Sequence, residues 1–163
     1  MADYAGAVAA IKSRLAAAWI DAAGQPLTLI VYANHRPEPP FPPIDPTTGN
    51  PAPVVVCEVT GTRSDVHTFG DADNRFFQYD GLIILHVLVA INEGVSRAQA
   101  LAVQAGEIFR AATFYQDPNG SYVRTVAPYP PDGGGAAELE GVDAGGTLYR
   151  VTVSIPFKYF HRA

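Results

Sequence analysis

The feature that most constrains this chain is residues 147–160, where Tyr149, Val151, Val153, Ile155, Phe157 and Tyr159 alternate with Arg150, Thr152, Ser154, Pro156 and Lys158. Successive side chains of a β-strand point to opposite faces, so strict period two means a strand with one apolar and one polar face. Such a strand is stable only in a sheet whose apolar face is covered, and the rest of the chain must supply both partners and cover. Pro156 has no backbone N–H for a ladder, which predicts an edge position or a bulge. Lys158 fits an edge too, as a charge that guards against unwanted pairing.

Two helical patterns supply the cover. Tyr4, Val8, Ile11, Leu15 and Trp19 fall on one helical stripe, and Gly24 is expected as the C-terminal cap. Ser96-Arg97-Ala98-Gln99 has the form of a capping box, predicting a second helix from near Arg97 to near Thr113. Its inner stripe is Leu101, Ala105, Ile108 and Ala112, and its many alanines let the backbone lie close on a sheet. Further strands are predicted at 27–32, 54–60, 75–91 and 122–127. Along 75–91 one face carries Phe77, Tyr79, Ile83, Leu85, Val87, Val89 and Ile91. The other is polar at Gln78 and Asp80, then apolar at Leu82, Ile84 and Leu88. The strand therefore passes from one-sided to two-sided burial, with Gly81 expected at a bulge or bend. The order helix, strands, helix, strands lacks regular β-α alternation. The expected fold is α+β, a small antiparallel or mixed sheet packed on one face by two main helices.

The chain reads as a single domain over residues 1–163, with two loops of unusual composition. Residues 36–53 hold prolines at 37, 39, 40, 42, 43, 46, 51 and 53, so neither a helix nor a central strand is expected there. Two readings remain: a surface loop, or a semi-rigid arm that presents Phe41 and Ile44 to a neighbour. Residues 132–146 are glycine-rich, and the stretch 136–142 within them reads as a flexible loop or hairpin. Residues 61–74 read as a polar connection, and Asn92-Glu93-Gly94 and Asp117-Pro118-Asn119-Gly120 as turns.

Hydrophobic residues make up 48% and charged residues 17%, which suits a well-cored protein. A net charge of -5 provides no basic footprint for gripping a nucleic-acid backbone. Cys57 is the only cysteine, and its place in Val54-Val55-Val56-Cys57 reads as a buried structural thiol. Met1-Ala2-Asp3-Tyr4 lacks the basic region and apolar run of a signal peptide, and no apolar stretch reaches the ~18 residues of a membrane span. Assembly in a cytoplasm with no membrane partner is the expectation.

No catalytic residue, metal site or cofactor is expected. His35, His67, His86 and His161 lie far apart, none at metal-ligand spacing. Asp71-Ala72-Asp73-Asn74 opens like a calcium loop, but Arg75 stands at the next ligand position and Phe76 in place of the required glycine. The triple glycine 133–135 is followed by Ala136-Ala137, which excludes a phosphate-cradling loop. Ser64, Asp65 and His67 have the residue types of a hydrolase triad without a nucleophile elbow, leaving a small hydrolase as a remote alternative.

Five segments taken in order carry a family resemblance: Ala10-Ile11-Lys12-Ser13-Arg14-Leu15, the proline-rich loop with Phe41, Tyr79-Asp80-Gly81-Leu82-Ile83, residues 101–109, and Leu148-Tyr149-Arg150-Val151-Thr152-Val153-Ser154-Ile155-Pro156-Phe157. Together they resemble the tail-terminator (tail-completion) proteins of long-tailed phages and related prophage elements. The resemblance implies a non-enzymatic virion protein of the phage tail, assembled in the host bacterial cytoplasm. Its subunits form a ring, expected as a homohexamer, that ends tail-tube polymerisation and joins the tail to the head connector. The implied partners are further copies of itself, the tail tube protein and the connector or neck protein, with DNA passing through without specific binding. Another head–tail joining or neck protein is the alternative. Loops 36–53 and 132–146 are long for the family. Within such a ring, Phe41 and Ile44 on the arm and Pro156 and Lys158 on the closing strand are the candidate subunit-interface residues, because a repeating contact needs two unlike patches per subunit. The acidic balance predicts a neutral or negative channel wall, an expectation that a lumen lined by Arg63, Arg75 and Arg124 would contradict.

Overall fold

The alternating C-terminal segment forms one long strand, and it lies inside the sheet rather than at its edge. The computed structural model describes residues 3–68, 75–91, 93–136, 138–139, 142–143 and 148–162. The calcium-like segment 71–74 and Asn92 of the expected turn lie outside the described residues. In chain order the elements are α1 (Tyr4–Ala18), β1 (Leu29–Tyr32), β2 (Val54–Val66), β3 (Phe76–Ala90), α2 (Val95–Glu107), β4 (Thr113–Phe114), β5 (Tyr122–Thr125), β6 (Asp132–Ala136), β7 (Glu138–Leu139), β8 (Val142–Asp143) and β9 (Leu148–Arg162). The seven-stranded sheet runs β1-β2-β3-β9-β5-β4, with β6 also on β9, while β7 and β8 pair with each other. β1 is parallel to β2 and the other pairs are antiparallel, so the sheet is mixed; it also curls. The fold is α+β, with a larger and more curved sheet than expected.

The edge expectation for Pro156 is corrected by the pairing of β9. β3 flanks β9 along its whole length, with Leu82 opposite Pro156. On the other side β5 ends at Thr125 opposite Phe157, and β6 begins at Asp132 opposite Thr152. Pro156 falls in the interval between them, where its carbonyl accepts from the Val126 amide at 3.1 Å. In an antiparallel ladder the N–H and C=O of one residue point to the same side. The donor that proline lacks would therefore have faced this interval, and the β3 ladder loses nothing.

α1 is capped by Asp3, whose carboxylate accepts from the Gly6 amide at 2.5 Å, and it buries Ala7, Ile11 and Leu15, with Trp19 just beyond its end. The helix stops at Ala18, so Gly24 is not its cap. Gly24, with φ +76°, belongs to a separate turn in which the Asp21 carboxylate accepts from the Ala23 and Gln25 amides. The expected capping box at the second helix is not formed either. Gly94, with φ 84° and ψ 153°, occupies the N-cap, which puts Ser96 inside the first turn, where its hydroxyl is not placed to cap. α2 also ends earlier, at Glu107. Its buried line is Ala98, Ala102, Ala105 and Gly106, continued by Phe109, with Leu101 and Ile108 half-buried on the flanks. Small side chains bring this helix close to the sheet: a Cβ at Gly106 would lie 3.2 Å from both Pro128 and Val153.

Both helices cover one face of the sheet, meeting Val55 and Cys57 of β2, Ile83, Leu85 and Val87 of β3, and Val151, Val153, Ile155, Phe157 and Tyr159 of β9 in a single core. β2 continues to Val66 through much of the stretch read as a polar connection. Its one irregularity, between Gly61 and Arg63, lies directly across from Gly81, so the bulge expected at Gly81 sits in the neighbouring strand.

Candidate functional site

The sheet face turned away from the helices is the one large surface built by all the long strands. Its cross-strand rows follow from the register: Val54, Leu88 and Arg150; then Val56, His86 and Thr152; then Glu58, Ile84 and Ser154; then Thr60, Leu82 and Pro156; then Arg63, Asp80, Lys158 and Arg124. The first end is apolar and covered. Phe41 of the proline-rich segment packs there against a cluster of Val31, Val54, Val56, Leu88 and Leu148. This explains the two-sided burial of β3 near Leu88. It also shows that Phe41 is used within its own subunit.

Beyond Phe41 the segment closes into a compact turn. The Asp45 amide donates to Asn50 O (2.9 Å), the Gly49 amide to Asp45 O (2.8 Å) and the Ala52 amide to Pro43 O (2.7 Å), with Ile44 bridged to Pro51. The Asp45 carboxylate accepts from the Thr47 amide at 2.8 Å, and that bond holds its pKa below the ordinary value. Ile44 projects from this turn with 53% of its surface exposed. Of the two expected arm residues, Phe41 is thus the root and Ile44 the exposed tip.

In the middle of the face, the His86 ring shares a 2.8 Å hydrogen bond between Nδ1 and Thr152 Oγ1, and Nε2 lies 3.8 Å from Glu58 Oε2. Burial pushes the His86 pKa down; Arg150 adds to this and Glu58 opposes it. The neutral imidazole is therefore favoured in the folded protein.

The far end of the face is open. A depression of about 280 Å³ is lined by Thr62, Gly81, Leu82, Val126, Pro156 and Phe157, with Asp80 and Lys158 on its rim. Lys158 Nζ is 3.8 Å from Asp80 Oδ1, and Arg63 pairs with Asp65 at 2.6 Å. Arg124, exposed on the next strand, has no ion pair among the described residues. Pro156 and Lys158, expected as an exposed pairing edge, are instead one wall and the rim of this depression. Thr62 and Val126 are not legible as site residues in the sequence, and Leu82 is legible there only as part of an apolar strand face. They come from three different segments, and only the register brings them together.

Ser64, Asp65 and His67 are not brought together as a triad. Ser64 and Asp65 are consecutive on β2 and face opposite sides of the sheet, Asp65 is paired with Arg63, and the His67 ring packs edge-on against Phe160. Among the described residues no group of three or more His, Cys, Asp or Glu converges on a metal position. No described helix is long and apolar enough to cross a membrane. At the helix-covered face, Tyr159 is fully buried and its hydroxyl has no hydrogen-bond partner among the described residues. Burial first, then nearby Tyr115 and Asp117, push its pKa up to about 12.

No family model matches the chain, and no curated protein matches it. Among solved structures that match, the chain is similar to a protein at 18% identity with a TM-score of 0.57, covering 94% of this chain and 92% of that one. That likeness extends over nearly the whole of both chains and shows a shared fold.

Proposed function

We propose that this chain is a structural virion protein of the tail-terminator type, which forms a ring at the end of a phage tail tube, stops its polymerisation and joins it to the head connector. The observation that carries this reading is the position of the resembling segments. Ala10-Ile11-Lys12-Ser13-Arg14-Leu15 lies in α1, Tyr79-Asp80-Gly81-Leu82-Ile83 in β3, residues 101–109 on α2 and its end, and the long C-terminal segment in β9. Four of the five resembling segments are thus framework elements that share one core; the fifth, the proline-rich loop with Phe41, packs on the other face of the sheet.

The open sheet face supports an assembly role. It offers an exposed apolar tip at Ile44 and an apolar depression at Leu82 and Pro156, two unlike patches of the kind a head-to-tail ring contact uses. The row containing Arg63, Lys158 and Arg124 also puts cations on this face, so the wall of a ring would be neutral or negative only if the row is turned away from the channel or neutralised by a neighbour.

The test is native mass spectrometry and negative-stain imaging of the purified protein, alone and with polymerised tail tubes. Rings that cap tube ends and shorten the tube-length distribution are expected. Rings that bind the connector but ignore tubes would move the reading to a neck protein, and a protein that remains monomeric in the presence of tube ends would refute it.

A further inference from the structure

We propose that the arm tip of one copy of this chain seats in the depression of the next copy, with Ile44 entering the apolar space between Leu82, Val126 and Pro156 and Asp45 meeting Lys158 and Arg124 at the rim. This rests on the ring reading and names the contact that would build the ring.

The tip is made for such a role. Its turn is tied by backbone bonds between Asp45 and Asn50 and between Pro43 and Ala52, and Phe41 pins its root to the sheet. A projection already held in shape loses little conformational entropy on docking. Ile44, at 53%, is the most exposed large aliphatic side chain among the described residues.

The socket complements it in shape and charge. Its floor and walls are Leu82, Val126, Pro156 and the strand backbone at Gly81. The adjoining row carries Arg63, Lys158 and Arg124 against Asp80 alone, and Arg63 is already taken by Asp65. Lys158 reaches Asp80 only at 3.8 Å, and Arg124 is unpaired among the described residues. A carboxylate arriving beside Ile44 completes this row. Asp45, a part-exposed carboxylate next to Ile44, is that group.

One subunit does not fill its own socket. The tip is rooted beside Val54 and Leu88, whereas the socket lies at Leu82, six residues further along β3 and roughly 20 Å away at the rise of a strand. Tip and socket on opposite ends of one face give a heterologous contact, which closes into a ring when the rotation per subunit divides the circle.

Cysteine cross-linking tests the contact directly, because the native Cys57 is buried and its thiol pKa is pushed up to about 12, leaving engineered thiols as the reactive pair. The double variant Ile44→Cys/Val126→Cys is oxidised with copper phenanthroline under ring-forming conditions and run on a non-reducing gel. A reducible ladder of multimers up to the ring size is expected, with neither single variant giving one. Cross-linked dimers from Ile44→Cys alone would mean tip meets tip and would overturn the proposal. So would an absence of multimers while native mass still shows rings, an outcome that leaves the ring reading standing. An absence of rings from the unmodified protein at tube ends removes both readings. As a second measure, Asp45→Asn retains an acceptor for the Thr47 amide and removes the charge. It is expected to weaken each contact by up to about fivefold and to reduce its salt dependence, as an exposed ion pair would. Unchanged ring affinity and salt dependence would remove Asp45 from the contact.

Discussion

Replacing Gly81 by Ala should destabilise the fold by about 2 kcal/mol net, a steric collision offset in part by alanine's lower conformational cost. A Cβ at Gly81 would stand 2.5 Å from Phe157 Cε1, 2.6 Å from Phe157 Cζ and 2.5 Å from the Thr60 carbonyl oxygen. Ordinary carbon contacts begin near 3.5 Å, so the intrusion is of order 1 Å on two sides. The Phe157 ring is locked in the core with 1% of its surface exposed, and the Thr60 carbonyl belongs to β2, so relief requires parting β2 from β3 or displacing the ring. Overpacking of this kind costs ~1–3 kcal/mol, and two rigid neighbours put it near the top of that range. The conformational advantage of alanine over glycine in a strand returns ~0.5–1 kcal/mol. The net loss corresponds to a Tm lower by roughly 4–8 °C for a domain of this size. Urea unfolding followed by far-UV circular dichroism measures it, with Gly61→Ala as the control. A Cβ at Gly61, paired directly with Gly81, meets only the Tyr4 hydroxyl at 3.1 Å, and that variant should stay within about 1 kcal/mol of wild type. In the background of Phe157→Leu, part of the Gly81→Ala cost should vanish, with a coupling of at least ~1 kcal/mol. If Gly81→Ala is no less stable than Gly61→Ala, the close packing of Phe157 over Gly81 is not what holds this corner.

Two further predictions concern titration and reactivity. Burial lowers the pKa of both His86 and His161, with Arg150 adding to the effect at His86 and Glu58 opposing it. Between those lowered values and the ordinary ~6.5 the unfolded chain binds more protons than the folded one, so stability falls as pH drops through that window and is flat above it as far as these groups are concerned. The slope is at most ~1.4 kcal/mol per pH unit for each histidine, and His86→Gln should reduce it in chemical denaturation from pH 7.5 to 5. An unaltered slope would assign the dependence to other groups. Cys57, fully buried with its thiol pKa pushed up to about 12, should react with a disulfide reagent only as fast as the protein unfolds. Reaction within seconds in native buffer would show that β2 opens locally.

What could be read from the sequence divides by how local its cause is. The alternation in β9 and β3 survives folding because every second residue is apolar over a long run, and no helix can use that pattern. The stripe of α1 survives for the same reason, anchored by Ile11, Leu15 and Trp19. The phase of α2 is not legible in the sequence because alanines occupy several of its faces: Leu101 and Ile108 draw the expected stripe towards themselves, while Ala98, Ala102 and Ala105 make the closest approach. Ser96 and Gly24 carry genuine cap chemistry, but Gly94 and Asp21 had already set the chain direction. The polar run Arg63-Ser64-Asp65 looked like a loop because both faces of β2 are exposed at that point.

The candidate site divides in the same way. Ile44 could be recognised because it stands among prolines and turn residues that give it no local cover, whereas Phe41 has the same setting in the sequence and only the folded sheet shows it covered. Pro156 and Lys158 could be noticed, yet their part could not be assigned. An edge and an interval between two partners look the same in a sequence, since both are places where a missing N–H goes unpunished. The depression needs Thr62 from β2, Leu82 from β3 and Pro156 from β9, with Val126 just past β5, and it exists only after those registers are set. A slip of one residue in β9 would turn Pro156 into the core and Phe157 out to solvent. Burial of Phe157 against Gly81 makes that slip costly. The steric fit tested by Gly81→Ala therefore also holds the socket in shape, and a substitution on the helix-covered face should loosen a contact made on the opposite one.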